Sequence, residues 1–359
     1  MASISGIRAQ LFDRVNNVQP RDEAVDAALK ALADYDNKNA QLLQSPERRD
    51  HAKYHIGRIP HLQAVVKASK NDEDRLSYNK QVVDSLVAAL RSGFYPQGRE
   101  VLEKLIAKGG QLGSYSAYSL IGAEFFLRNE EPGANLLANQ KKWVAELENF
   151  LAKFPRAAEA ADVLLQLAIA NEFDANEEPA RQQYAQVIKD YPGTEAAKKA
   201  AGSLRRLDLL GQPLALSGTG LQNEKIDSTQ YRGKTLLVVF WASTAAPVKD
   251  NLPGLVKVQE KYRGRGLEIL GVNLDNDRAE LEAFLKSQQL TWPQIFEGGG
   301  MESRLAVEYG IISLPSMILV DDQGKVIDRH LRTADEVERR LEKLLAQRQA
   351  GGAAAERRE

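Results

Sequence analysis

The chain has no cysteine among its 359 residues. That absence removes sulfur nucleophiles, disulfides, thiolate-held zinc and every redox cycle that passes through a thiol. Histidine is scarce, at four residues, which leaves few neutral-pH bases or imidazole ligands. Net charge is nearly absent: 48 basic residues against 49 acidic give −1, so nucleic acid or another polyanion is not an expected partner. No apolar run approaches the roughly 20 residues of a membrane-spanning helix. The opening Met1-Ala2-Ser3-Ile4-Ser5-Gly6-Ile7-Arg8 lacks the charged-then-apolar pattern of a signal peptide. Zero cysteine fits a reducing cytosol and an exported protein without disulfides equally, so composition leaves the compartment unassigned.

What is present is ordinary for a folded protein: 43% hydrophobic and 27% charged residues, over a length sufficient for two or three domains. From about residue 20 to 205 the apolar residues keep helical spacing. Val25, Ala28, Leu29 and Leu32 form one stripe, and Val82, Val83, Leu86, Val87 and Leu90 another. Helix breaks are expected at Ser45-Pro46, Ile59-Pro60, Tyr95-Pro96, Gly109-Gly110 and Glu131-Pro132-Gly133. This half reads as stacked antiparallel helices. Phe154-Pro155, followed by Ala160 and Leu167, recurs as Tyr191-Pro192, followed by Ala197 and Leu204, at an offset of 37 residues. That period is near the roughly 34 residues of a tetratricopeptide unit, and the segment resembles the divergent tetratricopeptide-like repeats of bacterial envelope proteins. An ordinary helical bundle with an accidental echo is the alternative.

Beyond Arg205-Arg206-Leu207 and the linker Gly211-Gln212-Pro213 the pattern changes to alternating strands and helices. Thr235-Leu236-Leu237-Val238-Val239-Phe240 is a continuous apolar run suited to a central strand. A helix with Leu255, Val258 and Tyr262 inside is expected after Pro247, then a strand over 267–274. Asp277 fits an N-cap for a helix carrying Leu281, Phe284 and Leu285. A helix over 304–309, a hairpin turning at Asp321-Asp322-Gln323-Gly324, and a last helix with Val337, Leu341, Leu344 and Leu345 complete the order.

Residues 240–249 read Phe240-Trp241-Ala242-Ser243-Thr244-Ala245-Ala246-Pro247-Val248-Lys249. This resembles the Phe-Trp-Ala-Thr-Trp-Cys-x-Pro-Cys-Lys segment of thioredoxin-like proteins of the TlpA/ResA type, with Ala245 and Val248 at the two sulfur positions. Arg232-Gly233-Lys234, Gly271-Val272-Asn273-Leu274-Asp275 and Gly310-Ile311-Ile312-Ser313-Leu314-Pro315-Ser316 extend the resemblance over residues 211–347. It implies a thioredoxin-like fold with a cis proline at Pro315 beside the start of the motif helix. The whole arrangement looks like multidomain thioredoxin-like proteins of planctomycete-type bacteria. Family members are commonly exported, which the resemblance carries over only if a leader was trimmed.

Thiol–disulfide exchange needs an attacking thiolate and a resolving thiol. Alanine and valine supply neither. Asn251 stands where the family often has a carboxylate associated with proton handling, and Thr244 where it has tryptophan. Valine and asparagine are not the uniform small residues of a designed knockout, so natural loss is expected. Other chemistry fares no better. His51 and His55 lie one helical turn apart but lack an acidic third ligand, so a solvated helix face is expected and no metal. His330 reads as a surface residue after the hairpin strand. Gly298-Gly299-Gly300 lacks the Lys-Ser/Thr of a phosphate loop and reads as a turn. Tyr115, Tyr118, Phe125 and Phe126 read as core packing.

What remains is a surface. The resemblance implies a groove in which the loop before the cis proline pairs with an extended segment, through Leu314 and Pro315. Trp241, Ala245, Ala246 and Pro247 would form the facing wall; alternatively the site is filled in and the domain only packs. The expected organisation is a helical region over 1–135, tetratricopeptide-like repeats over 136–208, a thioredoxin-like α/β domain over 209–347 and a disordered tail over 348–359. The expected function is a redox-inactive adaptor that binds a protein or extended peptide, with no cofactor and no catalytic residue. The alternatives are an oxidoreductase whose cysteines were engineered out and a structural subunit of a larger assembly.

Overall fold

A computed structural model describes residues 22–355, with side chains described as far as residue 347. The Met1–Arg8 opening and the last four residues lie outside this span. The chain forms two compact units that divide between Val163 and Leu164. The change from helices to strands near residue 208 therefore falls inside the second unit.

The first unit is built from α1 (Glu23–Asn39), α2 (Arg48–Ala68), α3 (Asp72–Arg91), α4 (Gln97–Lys108), α5 (Gly110–Glu130) and α6 (Leu136–Lys153), each packed on the next. Side-chain oxygens cap three of them: Asp22 accepts from Ala24 N at 3.1 Å, Asn71 from Asp74 N at 2.6 Å and Asn135 from Ala138 N at 3.0 Å. Leu62, Val65, Val83, Leu86 and Leu102 fill the core. Four of the expected breaks separate helices, but Pro60 does not; α2 continues through it. Burial of Ile59, Leu62 and Val65 around the proline offsets the roughly 3 kcal/mol it costs a helix interior. His55 corrects the expected solvated face: its Nδ1 is buried without a partner. Burial first, then the Arg58 and His51 charges, lowers its pKa to about 4. Among the described residues no group of three or more His, Cys, Asp or Glu is placed to hold a metal, and no helix is long and apolar enough to cross a membrane.

Helix α7 (Ala160–Phe173) runs into the second unit, which continues through α8 (Glu177–Asp190) and α9 (Glu195–Leu207). The 37-residue sequence echo has a geometric counterpart. Phe154 ends α6 at φ −128°, ψ 56°, and Tyr191 ends α8 at φ −129°, ψ 52°. Each donates its N–H to the carbonyl four residues back, at 2.7 and 3.0 Å.

Strands β1 (Ser217–Thr219) and β2 (Lys225–Asp227) form a small antiparallel pair. The main sheet follows: β3 (Thr235–Trp241), α10 (Ala246–Arg263), β4 (Leu267–Asn273), α11 (Arg278–Ser287), β5 (Gln294–Phe296), α12 (Arg304–Glu308), β6 (Ser316–Val320), β7 (Val326–Leu331) and α13 (Ala334–Ala355). Its order is β5-β4-β3-β6-β7, with β3, β4 and β5 parallel and β6 and β7 antiparallel to their neighbours. Every residue of β3 is buried because both faces are covered. Leu237, Val239 and Trp241 face Leu252, Leu255, Val258 and Tyr262 of α10. Leu236, Val238 and Phe240 face Leu214, Leu216, Leu305 and Tyr309. Helix α13 replaces the expected disordered tail as far as Ala355. Its alanines, glutamines and arginines are strong helix formers, which outweigh about 1 kcal/mol for each of Gly351 and Gly352.

Helix α9 docks on this domain backbone to backbone. A Cβ added at Gly202 would lie 1.9 Å from the Val307 carbonyl oxygen, and one added at Gly310 would lie 2.2 Å from Ser203 N. Beside that contact Arg206 and Glu172 form a buried ion pair at 2.6 Å. Arg206 Nε donates to Gly310 O at 3.0 Å, and the Tyr184 hydroxyl donates to Glu172 at 2.9 Å.

Candidate functional site

The site begins where β3 ends. The Ser243 N–H donates to Asp275 at 2.9 Å, and the Ser243 hydroxyl donates to the same carboxylate at 3.1 Å. Asn273 Nδ2 donates to its other oxygen at 2.8 Å. Asp275 is 6% exposed, so one buried carboxylate takes three donors and fixes the loop that leads into α10. Sequence reasoning placed Asp275 in a motif without giving it a role; its partner lies 32 residues away. Asp275→Asn should lower the stability of this unit by about 2–3 kcal/mol, because an amide NH₂ then faces one of those donors. A urea-unfolding midpoint within error of the natural chain would contradict this account.

Ala245 is the N-cap of α10 and has no side-chain oxygen to cap it. Its own carbonyl accepts from Val248 N at 3.1 Å and Lys249 N at 3.3 Å, while the Ala246 N–H makes no hydrogen bond among the described residues. Ala245 is half-buried, and Ala246 and Pro247 are exposed. Val248, at the second sulfur position, is 2% exposed and belongs to the core cluster under the sheet. Asn251 acts as a tie: Nδ2 donates to Pro247 O at 2.9 Å, and Oδ1 accepts from Ala334 N at 3.1 Å, joining α10 to the start of α13. A carboxylate has no hydrogen with which to make the first of these bonds.

The loop opposite carries the cis Leu314–Pro315 bond. Leu314 is half-buried and, like Ala245, packs on the core cluster that holds Val248. The main-chain N–H and C=O of Ser313 and Leu314 make no hydrogen bond among the described residues. Arg332 donates to Ser313 Oγ. Two expected groove residues need correction, Trp241 of the wall and Pro315 of the pairing edge. Trp241 is 1% exposed, with its Nε1–H donated to Gln294 at 3.0 Å and its ring 5.7 Å from that of Phe284. Pro315 is buried as well. Both shape the site from beneath and offer no contact surface. The other four residues, Ala245, Ala246, Pro247 and Leu314, retain exposure.

Outside this site, Gly298, Gly299 and Gly300 take φ of 70°, 84° and 58°, a turn that only glycine makes readily. His330 lies within β7 instead of after it, with half its side chain exposed.

The Redoxin family matches residues 199–345. The chain is 29% identical over 128 residues to the thiol-disulfide oxidoreductase ResA of Bacillus thuringiensis subsp. konkukian, covering 35% of this chain and 72% of the relative. It is 27% identical over 127 residues to the thioredoxin-like protein YneN of Bacillus subtilis, covering 34% and 72%. Among solved structures, a thiol-disulfide oxidoreductase from Bacteroides fragilis is similar at 28% identity and a TM-score of 0.34, covering 37% of this chain and 98% of that one. The C-terminal part of the chain is a redoxin domain of thioredoxin-like fold, preceded by a helical region, with no cysteine in either.

Proposed function

We propose that this redoxin domain has no redox activity and holds an extended peptide by main-chain pairing at Leu314. One observation carries the reading: the N–H and C=O groups of Ser313 and Leu314 are free and lie in a loop whose partner side is apolar. A peptide strand satisfies such groups as an added strand would, and needs no covalent capture. Ala245, Ala246 and Pro247 supply an uncharged surface for its side chains.

Two measurements test this. With dithiothreitol present, insulin precipitation by the natural chain should match the no-protein control; turnover above control would end the redox-inactive reading. A fluorescent, capped heptapeptide of alternating valine and alanine should bind, and Leu314→Arg should weaken it by at least roughly tenfold. The exposed variant Ala246→Arg gives the same readout without touching the core. Unchanged affinity in both variants would put any peptide binding away from Leu314 and overturn this reading; no binding by the natural chain would leave the domain a packing module.

A further inference from the structure

Beside the Leu314 loop lies a small cavity of about 10 Å³ lined by Arg206, Arg329, His330, Arg332, Ile312 and Ser316. That volume holds about one water-sized group. Its lining is strongly basic, although the domain as a whole is not. The Arg206 charge is taken by Glu172, and one edge of Arg329 by Glu177 at 3.0 Å. Glu177 is shared with Arg181, which also pairs with Asp208. Arg329 is 7% exposed, and its Nε is buried with no hydrogen-bond partner. Arg332 has no carboxylate within ion-pair distance among the described residues; its guanidinium lies over the Phe173 ring at 5.5 Å and donates to Ser313. The nearby Glu336 carboxylate is occupied by the N–H groups of Arg332 and Thr333, at 2.7 and 3.2 Å. Burial, and then the Arg206 charge, lowers the Arg332 pKa from the ordinary guanidinium value, with Glu172 and Glu336 compensating in part. Arg329, whose Nη1 meets His330 Nε2 and whose Nε has no partner, and Arg332, with no carboxylate partner among the described residues, line one small opening, and such a lining is complementary to a carboxylate. One carboxylate oxygen fits the cavity, and the planar guanidinium of Arg332 suits the other.

Ile312 and Ser316 lie two residues to either side of the free Leu314. Along a strand paired there, side chains on one face recur about every 7 Å. We infer that the cavity is a carboxylate subsite, and that an extended peptide at Leu314 presents an acidic side chain to Arg329 and Arg332. The peptide part of this inference rests on the groove proposed above; the anion site stands without it.

The first probe is acetate at constant ionic strength, read by the Arg329 Nε–H resonance, which Arg329→Lys assigns by its disappearance. A saturable shift that Arg332→Gln abolishes is expected; the absence of one in the natural chain overturns the subsite whatever the variant does. The second probe is a pair of capped valine–alanine heptapeptides carrying glutamate or glutamine at the centre. The glutamate peptide should bind roughly tenfold tighter to the natural chain, with the preference lost in Arg332→Gln and reduced in Arg332→Lys. Equal binding of both peptides without an acetate response overturns the subsite and leaves the groove standing. An acetate response with no binding of either peptide supports the subsite and overturns the groove.

Discussion

A chain carrying Ala245→Cys and Val248→Cys together should reduce insulin disulfides above the dithiothreitol control. The geometry for the exchange survives the loss of the sulfurs. Ala245 is half-exposed at the start of α10, where the helix dipole and the free Ala246 N–H would stabilise a thiolate. Val248 is buried beneath it, so a sulfur there is reached only from its neighbour, as resolution of a mixed disulfide requires. Three residues round one turn places the two Cα atoms roughly 5 Å apart, within the span of a disulfide. The turn is closed by the 3.1 Å bond from Val248 N to Ala245 O. Ala245→Cys alone should attack oxidised glutathione and hold it as a mixed disulfide, releasing one reduced glutathione, without turning over. Val248→Cys alone should react slowly with a thiol reagent until the protein unfolds. Asn251→Glu, added to the pair, should raise the rate by supplying a base within one helical turn. A folded double variant with no turnover would mean that the site has lost more than its sulfurs.

How far the sequence reached depended on whether the deciding contact was local. The seven apolar residues of β3 announce a strand buried on both faces, and the helical stripes and Asp277 cap lie within a few residues of what they determine. The short strands β1 and β5 carry three residues each, too few for any periodicity, and exist through partners elsewhere in the chain. Ala245 and Val248 lie in one contiguous stretch and Leu314 in another, so their places at the start of α10 and before the cis bond depend on local sequence. The roles of Asp275 and Asn251 were not legible, since each also binds a distant partner, 32 and 83 residues away. Trp241 was misplaced for the same reason: its Gln294 partner, which pulls the indole inward, is 53 residues distant. Arg206 lies in the last turn of α9, where arginine is ordinarily solvated, yet it is 3% exposed. Only the folded chain brings Glu172 to it, together with Arg329 and Arg332 around one cavity.

Gly202→Ala should destabilise the second unit by about 3 kcal/mol or more, against the helix-propensity expectation. Inside a helix, glycine to alanine ordinarily gains up to about 1 kcal/mol. At Gly202 the added Cβ would sit 1.9 Å from the Val307 carbonyl oxygen and 2.8 Å from Gly310 N. These are backbone atoms on the α12 side, with no flexible end to move aside, so α9 itself must shift. Overpacking a close contact costs typically 1–3 kcal/mol. Here the shift also pulls Arg206 from Gly310 O and strains a buried ion pair whose disruption costs about 3–5 kcal/mol. Packing therefore outweighs propensity, and the two predict opposite signs. Gly264→Ala is the control within the same unit: no atom lies within 4 Å of its added Cβ and its φ is −64°, so a gain of about 0.4–1 kcal/mol is expected there. Urea-unfolding midpoints read both signs, and hydrogen exchange along residues 195–207 should quicken in Gly202→Ala alone. A Gly202→Ala midpoint at or above that of the natural chain would show that α9 is not held by this backbone contact. The basic cavity would then lack the rigid wall that Arg206 gives it.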